Sequence, residues 1–85
     1  MIPAASRFGP WRDGLDAAER LARLRSMRAI ARLALGPRGE AFADALRRAE
    51  TDPAQLEPAL ARLDALAAID RRHVLASFAS LHRPA

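Results

Sequence analysis

The residues of this chain that could carry chemistry are its arginines, its scattered carboxylates and two histidines. His73 and His82 are widely separated along the chain, and the sequence contains no cysteine. A metal site needs three or four converging ligands, and two imidazoles with Asp70 at these spacings do not form a recognisable set. We therefore expect no metal site.

Catalytic machinery is not indicated either. The serines and the threonine stand in no motif that would activate a nucleophile. The glycines form no phosphate-binding loop, because the stretch from Gly36 to Gly39 lacks the Gly-Lys-Ser/Thr ending of such loops. We predict that the protein is not an enzyme, and the sequence indicates no cofactor and no small-molecule substrate.

Arginine is the residue type whose arrangement indicates a binding surface. All 14 basic residues are arginine, and the segment from Arg20 to Arg38 contains no acid. Arg25, Arg28 and Arg32 project within about 60° of one another on a helix, at 100° per residue. Together with Arg38, they are the candidate contacts to phosphates or to the carboxylates of a partner.

Three interpretations of these arginines stay open: a solvated helix surface, a surface for the carboxylates of a protein partner, and a contact to nucleic acid. Abundant Ala, Arg, Leu and Pro without Lys is typical of a GC-rich genome, so the net charge of +4 is a better guide than the high pI. The basic residues nevertheless concentrate in the first half of the chain. A helix-turn-helix that reads bases is disfavoured, because the second helix would carry Glu40, Asp44 and Glu50.

These residues must be positioned by helices. Apolar residues recur with a helical period, and no segment alternates with period two, so we predict an all-α fold, a small compact bundle. About four short helices are expected, over residues 16–35, 39–50, 58–68 and 70–82. Whether the last two are separate stays open.

The helix boundaries follow from local signals. Asp16 followed by Glu19 is typical of a helix start, and Gly36-Pro37 is typical of a helix end. Pro58 is placed at the start of the third helix, because a proline deep inside a helix clashes with the preceding turn. Asp70 is expected to cap the fourth helix.

Residues 1–14 are predicted to form an extended N-terminal arm, and residues 15–85 a single helical domain. The prolines and glycines of the arm forbid a long helix there. Phe8 and Trp11 are its candidate anchors. They could fold back onto the chain's own core, or dock on a partner or a neighbouring copy.

A short chain rich in alanine buries a modest core, so a partner or self-association is expected on physical grounds. We predict a small non-enzymatic interaction protein (an adaptor, accessory subunit or inhibitor) that binds a protein partner or forms a homo-oligomer through helix faces and the arm. The alternative is a nucleic-acid-binding accessory protein whose basic first helix contacts the phosphate backbone. The sequence shows no membrane span and no secretion signal, so a cytoplasmic location is expected.

Overall fold

The computed structural model describes residues 8–81, and these residues form an all-α fold without a strand. The four helices are α1 (Ala17–Leu35), α2 (Glu40–Ala49), α3 (Leu56–Ala65) and α4 (Ala68–Leu81). Short 3-10 turns precede α1, join α1 to α2 and lead into α3; they are Gly9–Trp11, Gly36–Gly39 and Pro53–Gln55. The structure confirms the predicted all-α class and the compact bundle of about four helices.

Both ends of α1 are set by the local signals that predicted them. The Asp16 side chain accepts a hydrogen bond of 2.7 Å from the Glu19 amide, which satisfies one of the free N–H groups of the first turn. The Glu19 side chain does not complete a capping box with Asp16, because it pairs with Arg23 one turn further along, at 2.8 Å. Gly36 ends the helix with φ of +57°, a left-handed conformation that glycine adopts without steric cost.

α2 follows α1 so closely that the turn between them depends on Gly39. A Cβ atom at this position would lie 2.7 Å from the Leu35 Cβ and 3.1 Å from the carbonyl oxygen of Ala31. Both distances are too short for carbon contacts in a packed interior. Glycine therefore lets the start of α2 cross against the end of α1.

The two C-terminal helices begin earlier than predicted. α3 begins at Leu56 instead of Pro58, because a proline in the first helical turn lacks only an N–H that has no acceptor within the helix. It ends at Ala65, three residues before the predicted end, since Leu66 adopts an extended backbone. α4 is separate and begins at Ala68. Asp70 lies inside its first turn, so the prediction that Asp70 caps α4 is wrong.

The core is built around α1, which contacts α2, α4 and the N-terminal turn. Its large, fully buried side chains come from all four helices: Leu24, Met27, Phe42, Leu46, Leu63, Val74 and Phe78. The helical period of the apolar residues also predicts that Ala67 and Leu81 face inward, and neither does. Ala67 falls in the link between α3 and α4, and Leu81 lies one turn beyond the core at the end of α4, where it is 68% exposed.

α4 runs antiparallel to α1. Asp70, in its first turn, binds Arg38 just after the end of α1, whereas Phe78 lies near Met27 in the middle of α1, both of them beside Gly9. This arrangement brings the N-terminal turn, α1 and α4 together at one end of the bundle.

Phe8 and Trp11 fold back onto the chain's own core. The ring of Phe8 meets that of Phe78 edge to face, with centroids 5.2 Å apart. Trp11 is 9% exposed, and its Nε1–H donates a hydrogen bond of 2.9 Å to the carbonyl oxygen of Leu56. Residues 1–7 of the predicted arm, and residue 82 of the predicted last helix, lie outside the described residues.

We expect Gly39→Ala to destabilise the protein by about 1–3 kcal/mol, because the added methyl group overpacks the α1–α2 turn. Gly39 is also the N-cap of α2, a position at which alanine is less favourable than glycine, so the local preference has the same sign. Urea denaturation followed by circular dichroism measures the difference. Glu40→Ala, at the exposed neighbouring position, is the control and should change stability by less than about 0.5 kcal/mol. A Gly39→Ala variant as stable as the wild type would contradict the close approach of the two helices.

Candidate functional site

The first two arginines of the arginine-rich segment fasten the N-terminal turn to α1. Arg20 donates from Nε to the carbonyl oxygen of Pro10 at 3.0 Å, and from Nη2 to that of Arg12 at 2.8 Å. Arg23 donates to the carbonyl oxygen of Gly9 at 3.4 Å. Their guanidinium groups therefore satisfy backbone acceptors within the chain.

Arg25 and Arg28, two of the candidate contacts, converge on one carboxylate at the end of α2. Nε of Arg25 lies 3.3 Å from Oε1 of Glu50, and Nη1 of Arg28 lies 3.1 Å from Oε2. The side chain of Glu50 is 10% exposed, and a carboxylate at a helix C-terminus faces the negative end of the helix dipole. The two guanidinium groups compensate this unfavourable charge. We call these three residues the Glu50 cluster.

The Glu50 cluster is not fully satisfied by hydrogen bonds. The contact of Arg28 with Oε2 is an ion pair without hydrogen-bond alignment, and Oε2 is buried with no hydrogen-bond donor among the described residues. The negative charge of the Glu50 carboxylate is nevertheless balanced by Arg28, because the attraction between opposite charges does not require hydrogen-bond alignment.

Arg38, a third candidate contact, forms a two-point pair with Asp70. Its Nε and Nη2 groups donate to the two carboxylate oxygens at 3.2 and 3.0 Å. These hydrogen bonds hold the pKa of the Asp70 carboxyl below its ordinary value, and they raise the pKa of Arg38. The pair joins the α1–α2 turn to the first turn of α4.

Arg32 is the one candidate contact without an ion pair among the described residues, and it is exposed. It lines an open groove of about 850 Å³ between the C-terminal half of α1 and α2. The charges in this groove are mixed, since Glu40 and Asp44 line it together with Arg47. Asp44 pairs with Arg47 at 2.6 Å.

The side of α1 that points away from the core is apolar. Four exposed residues lie within about 60° of one another around the helix axis, at 3.6 residues per turn; they are Ala18, Ala22, Ala29 and Leu33. Leu33 is 88% exposed. A surface helix normally places charged residues on this side; here Arg25 and Arg32 only border the strip, about 20° and 40° from Ala18 around the axis. We call these four residues the α1 outer face.

A second exposed apolar residue lies at the same end of the molecule as Leu33. Ile69 is 72% exposed, and it precedes Asp70, which binds Arg38 just beyond the end of α1. The exposed apolar side chains at this end therefore come from both α1 and α4.

The sequence prediction did not identify the α1 outer face. The spacing of residues 18, 22, 29 and 33 is helical and visible in the sequence, but the inward stripe of Leu24, Met27 and Ala31 has the same period. The exposure of Leu33 distinguishes the outward stripe from the inward one, and it is known only from the structure. The candidate arm anchors, Phe8 and Trp11, make their contacts within the chain.

Comparisons with protein-family models, with curated proteins and with solved structures find no match for this chain. Within residues 8–81, no three His, Asp or Glu side chains form a group that could hold a metal ion. None of the four helices has both the length and the hydropathy needed to cross a lipid bilayer. The α1 outer face and the arginines beside it are the candidate site.

We expect Glu50→Gln to strengthen binding to a generic DNA duplex, because it releases Arg25 and Arg28 from their shared carboxylate. The log–log slope of affinity against salt should steepen by about one for each additional phosphate that the released arginines neutralise. Glu57→Gln is the matched control: it makes the same charge change at an exposed residue that has no ion pair in the described part of the chain.

Fluorescence anisotropy across a salt series measures both variants and the wild type. Wild-type binding should be weak, with a slope shallower than about −3. Equal increases in affinity for Glu50→Gln and Glu57→Gln would show that only net charge matters, and would contradict a specific role of the Glu50 cluster.

Proposed function

We propose that the protein is a small non-enzymatic interaction protein of the cytoplasm, an adaptor, accessory subunit or inhibitor, that binds a protein partner through the α1 outer face. The observation that carries this proposal is the strip of exposed apolar residues along an otherwise arginine-rich helix. A single exposed leucine needs no explanation. A strip of exposed apolar residues that runs along one helix suits a docking surface for another helix.

The geometry of the α1 outer face suits a partner that lies along the helix. Residues 18 to 33 span about 22 Å at 1.5 Å per residue. The three alanines allow a close approach, and Leu33 projects as an apolar anchor that a pocket on the partner would enclose. In helix-in-groove contacts, apolar side chains of this kind fill the pockets that fix the docking position.

The bundle does not need this face for its own stability. The opposite side of α1 carries the buried residues Leu24, Met27, Ala31 and Leu35, and its neighbours within the chain pack there. A partner can therefore bind the exposed side without displacing any element. Binding through Trp11 would instead require that residue to leave the core and break its hydrogen bond to Leu56, so the proposal relies on α1 and not on the arm.

The nucleic-acid alternative depends on free guanidinium groups along the first helix and the turn that follows. Of the four candidate contacts, Arg25, Arg28 and Arg38 pair with carboxylates of the same chain. A phosphate backbone also gains little from an apolar helix face. Both observations favour a protein partner over a nucleic acid.

The proposal predicts that a photoreactive p-benzoylphenylalanine in place of Leu33 becomes covalently linked to a distinct protein in the cells that produce this chain. The same group in place of Arg62, an exposed residue of α3, should give no such product. Irradiation followed by affinity purification and mass spectrometry detects the adducts. An additional Ala29→Glu substitution should reduce the yield at position 33 by at least about tenfold, because it places a charge in the contact.

Circular dichroism of Ala29→Glu is the control that its helices remain folded. Identical adducts at positions 33 and 62, or no adduct at position 33, would show that the α1 outer face does not bind a protein partner.

A further inference from the structure

We infer that the partner segment covering the α1 outer face is an acidic amphipathic helix. Its apolar side chains would pack on Leu33 and the three alanines, and its carboxylates would face Arg25 and Arg32. This inference rests on the proposed function and specifies the chemistry of the partner.

The charge beside the α1 outer face is not balanced within the chain. Arg25 and Arg32 border the face on the side of α2, and both are exposed. Arg25 contacts Glu50 through Nε, while 62% of its side chain stays exposed to a partner. Glu50 pairs with Arg25 and Arg28. In the groove that Arg32 lines, Asp44 pairs with Arg47 and Arg48, and Glu40 forms no ion pair with Arg32. The flank therefore keeps a surplus of positive charge, and Arg32 keeps a guanidinium fork that a carboxylate can bind at two points.

The spacing of the flank matches a helical partner. Arg25 and Arg32 are two helical turns apart, about 10 Å along the axis. A helix that packs alongside α1 repeats this rise, so acids at positions i and i+7 of the partner reach both arginines. Small residues at the contact allow interaxial distances of about 8–10 Å, and the alanines of the face provide them.

A second copy of this chain fits the flank poorly. The α1 outer face is centred between residues 25 and 26, so an antiparallel two-fold pairing places Arg25 opposite Arg25 of the second copy. Like charges at such a contact are unfavourable. In a parallel pairing, the acid of α1 nearest to Arg32 is Glu19, thirteen residues and about 20 Å away along the helix. The self-complementary arrangement therefore supplies Arg32 with no carboxylate.

The test is selection from a phage-displayed library of helical peptides, in which one apolar stripe is fixed and both flanking stripes are randomised. Wild-type chain should enrich peptides with Asp or Glu at i and i+7 on one flank. Arg32→Glu should enrich Lys or Arg at the same flank. Arg62→Glu, which makes the same charge change on α3, is the matched control and should select the same peptides as the wild type.

The affinity of the enriched peptides for the wild type and for Leu33→Glu then shows whether they bind the α1 outer face. It should be at least about tenfold lower for Leu33→Glu, since the apolar anchor is lost. Peptides that require Leu33 but show no preference for acids would overturn the inference and leave the proposed function standing. Peptides that bind Leu33→Glu as well as wild type, or a failure to enrich any peptide, would overturn both.

Two further measurements test whether the α1 outer face binds a second copy of the chain or a nucleic acid instead of an acidic helix. If sedimentation shows that the wild type is a dimer and Leu33→Glu a monomer, the occupant is a second copy and the inference is wrong. If DNA binding is lost in Arg32→Glu and kept in Leu33→Glu, the flank serves nucleic acid, and the inference is wrong as well. A monomer with weak DNA binding, together with acid-selected peptides, supports it.

Discussion

Four of the five guanidinium groups of α1 contact backbone carbonyls or carboxylates of the chain, and most of these contacts connect α1 to the elements around it. Arg20 and Arg23 bind carbonyl groups of the N-terminal turn, and the Glu50 cluster joins α1 to the end of α2. Arg38 extends the same pattern beyond the helix to the first turn of α4. Exposed ion pairs contribute little free energy each, so the apolar core holds the bundle together and these contacts connect its elements at the surface.

This use of arginine has a consequence for the surface. A helix turns each side chain to a fixed direction, so arginines that reach inward or sideways leave the outward positions to other residues. In α1 those positions are taken by alanine and by Leu33. The solvent-exposed side of the helix therefore carries an apolar strip bordered by Arg25 and Arg32, where a surface helix usually carries charged residues. The proposed docking face is this strip.

Much of the fold could be predicted from the sequence because its signals are local. Asp16 and Gly36 set the ends of α1, and the helical period of the apolar residues predicted each of the four helices. The errors in α3 and α4 have local causes as well: Pro58 is tolerated in a first turn, and the fold uses Asp70 for an ion pair instead of a cap.

The candidate site was less predictable, because its properties depend on long-range contacts. Glu50 lies 25 residues from Arg25, and Asp70 lies 32 residues from Arg38, so the acid-free segment gave no sign that most of its arginines are paired. The exposed position of Leu33 was also hidden in the sequence, because its neighbours on the same stripe are alanines. Alanine suits both a buried stripe and an exposed one, so the sequence did not show which side of α1 faces the core.

The most direct test of this account is an NMR measurement of the arginine side-chain Nε–H groups. Arg20, Arg25 and Arg38 donate from Nε to acceptors within the chain, so their Nε–H signals should be dispersed and should exchange slowly with water. The signal of Arg32 should have the shift and exchange rate of a free arginine. If Arg32 were as protected as the other three, or those three as free as Arg32, the distinction between arginines held through Nε within the chain and the free Arg32 would be wrong.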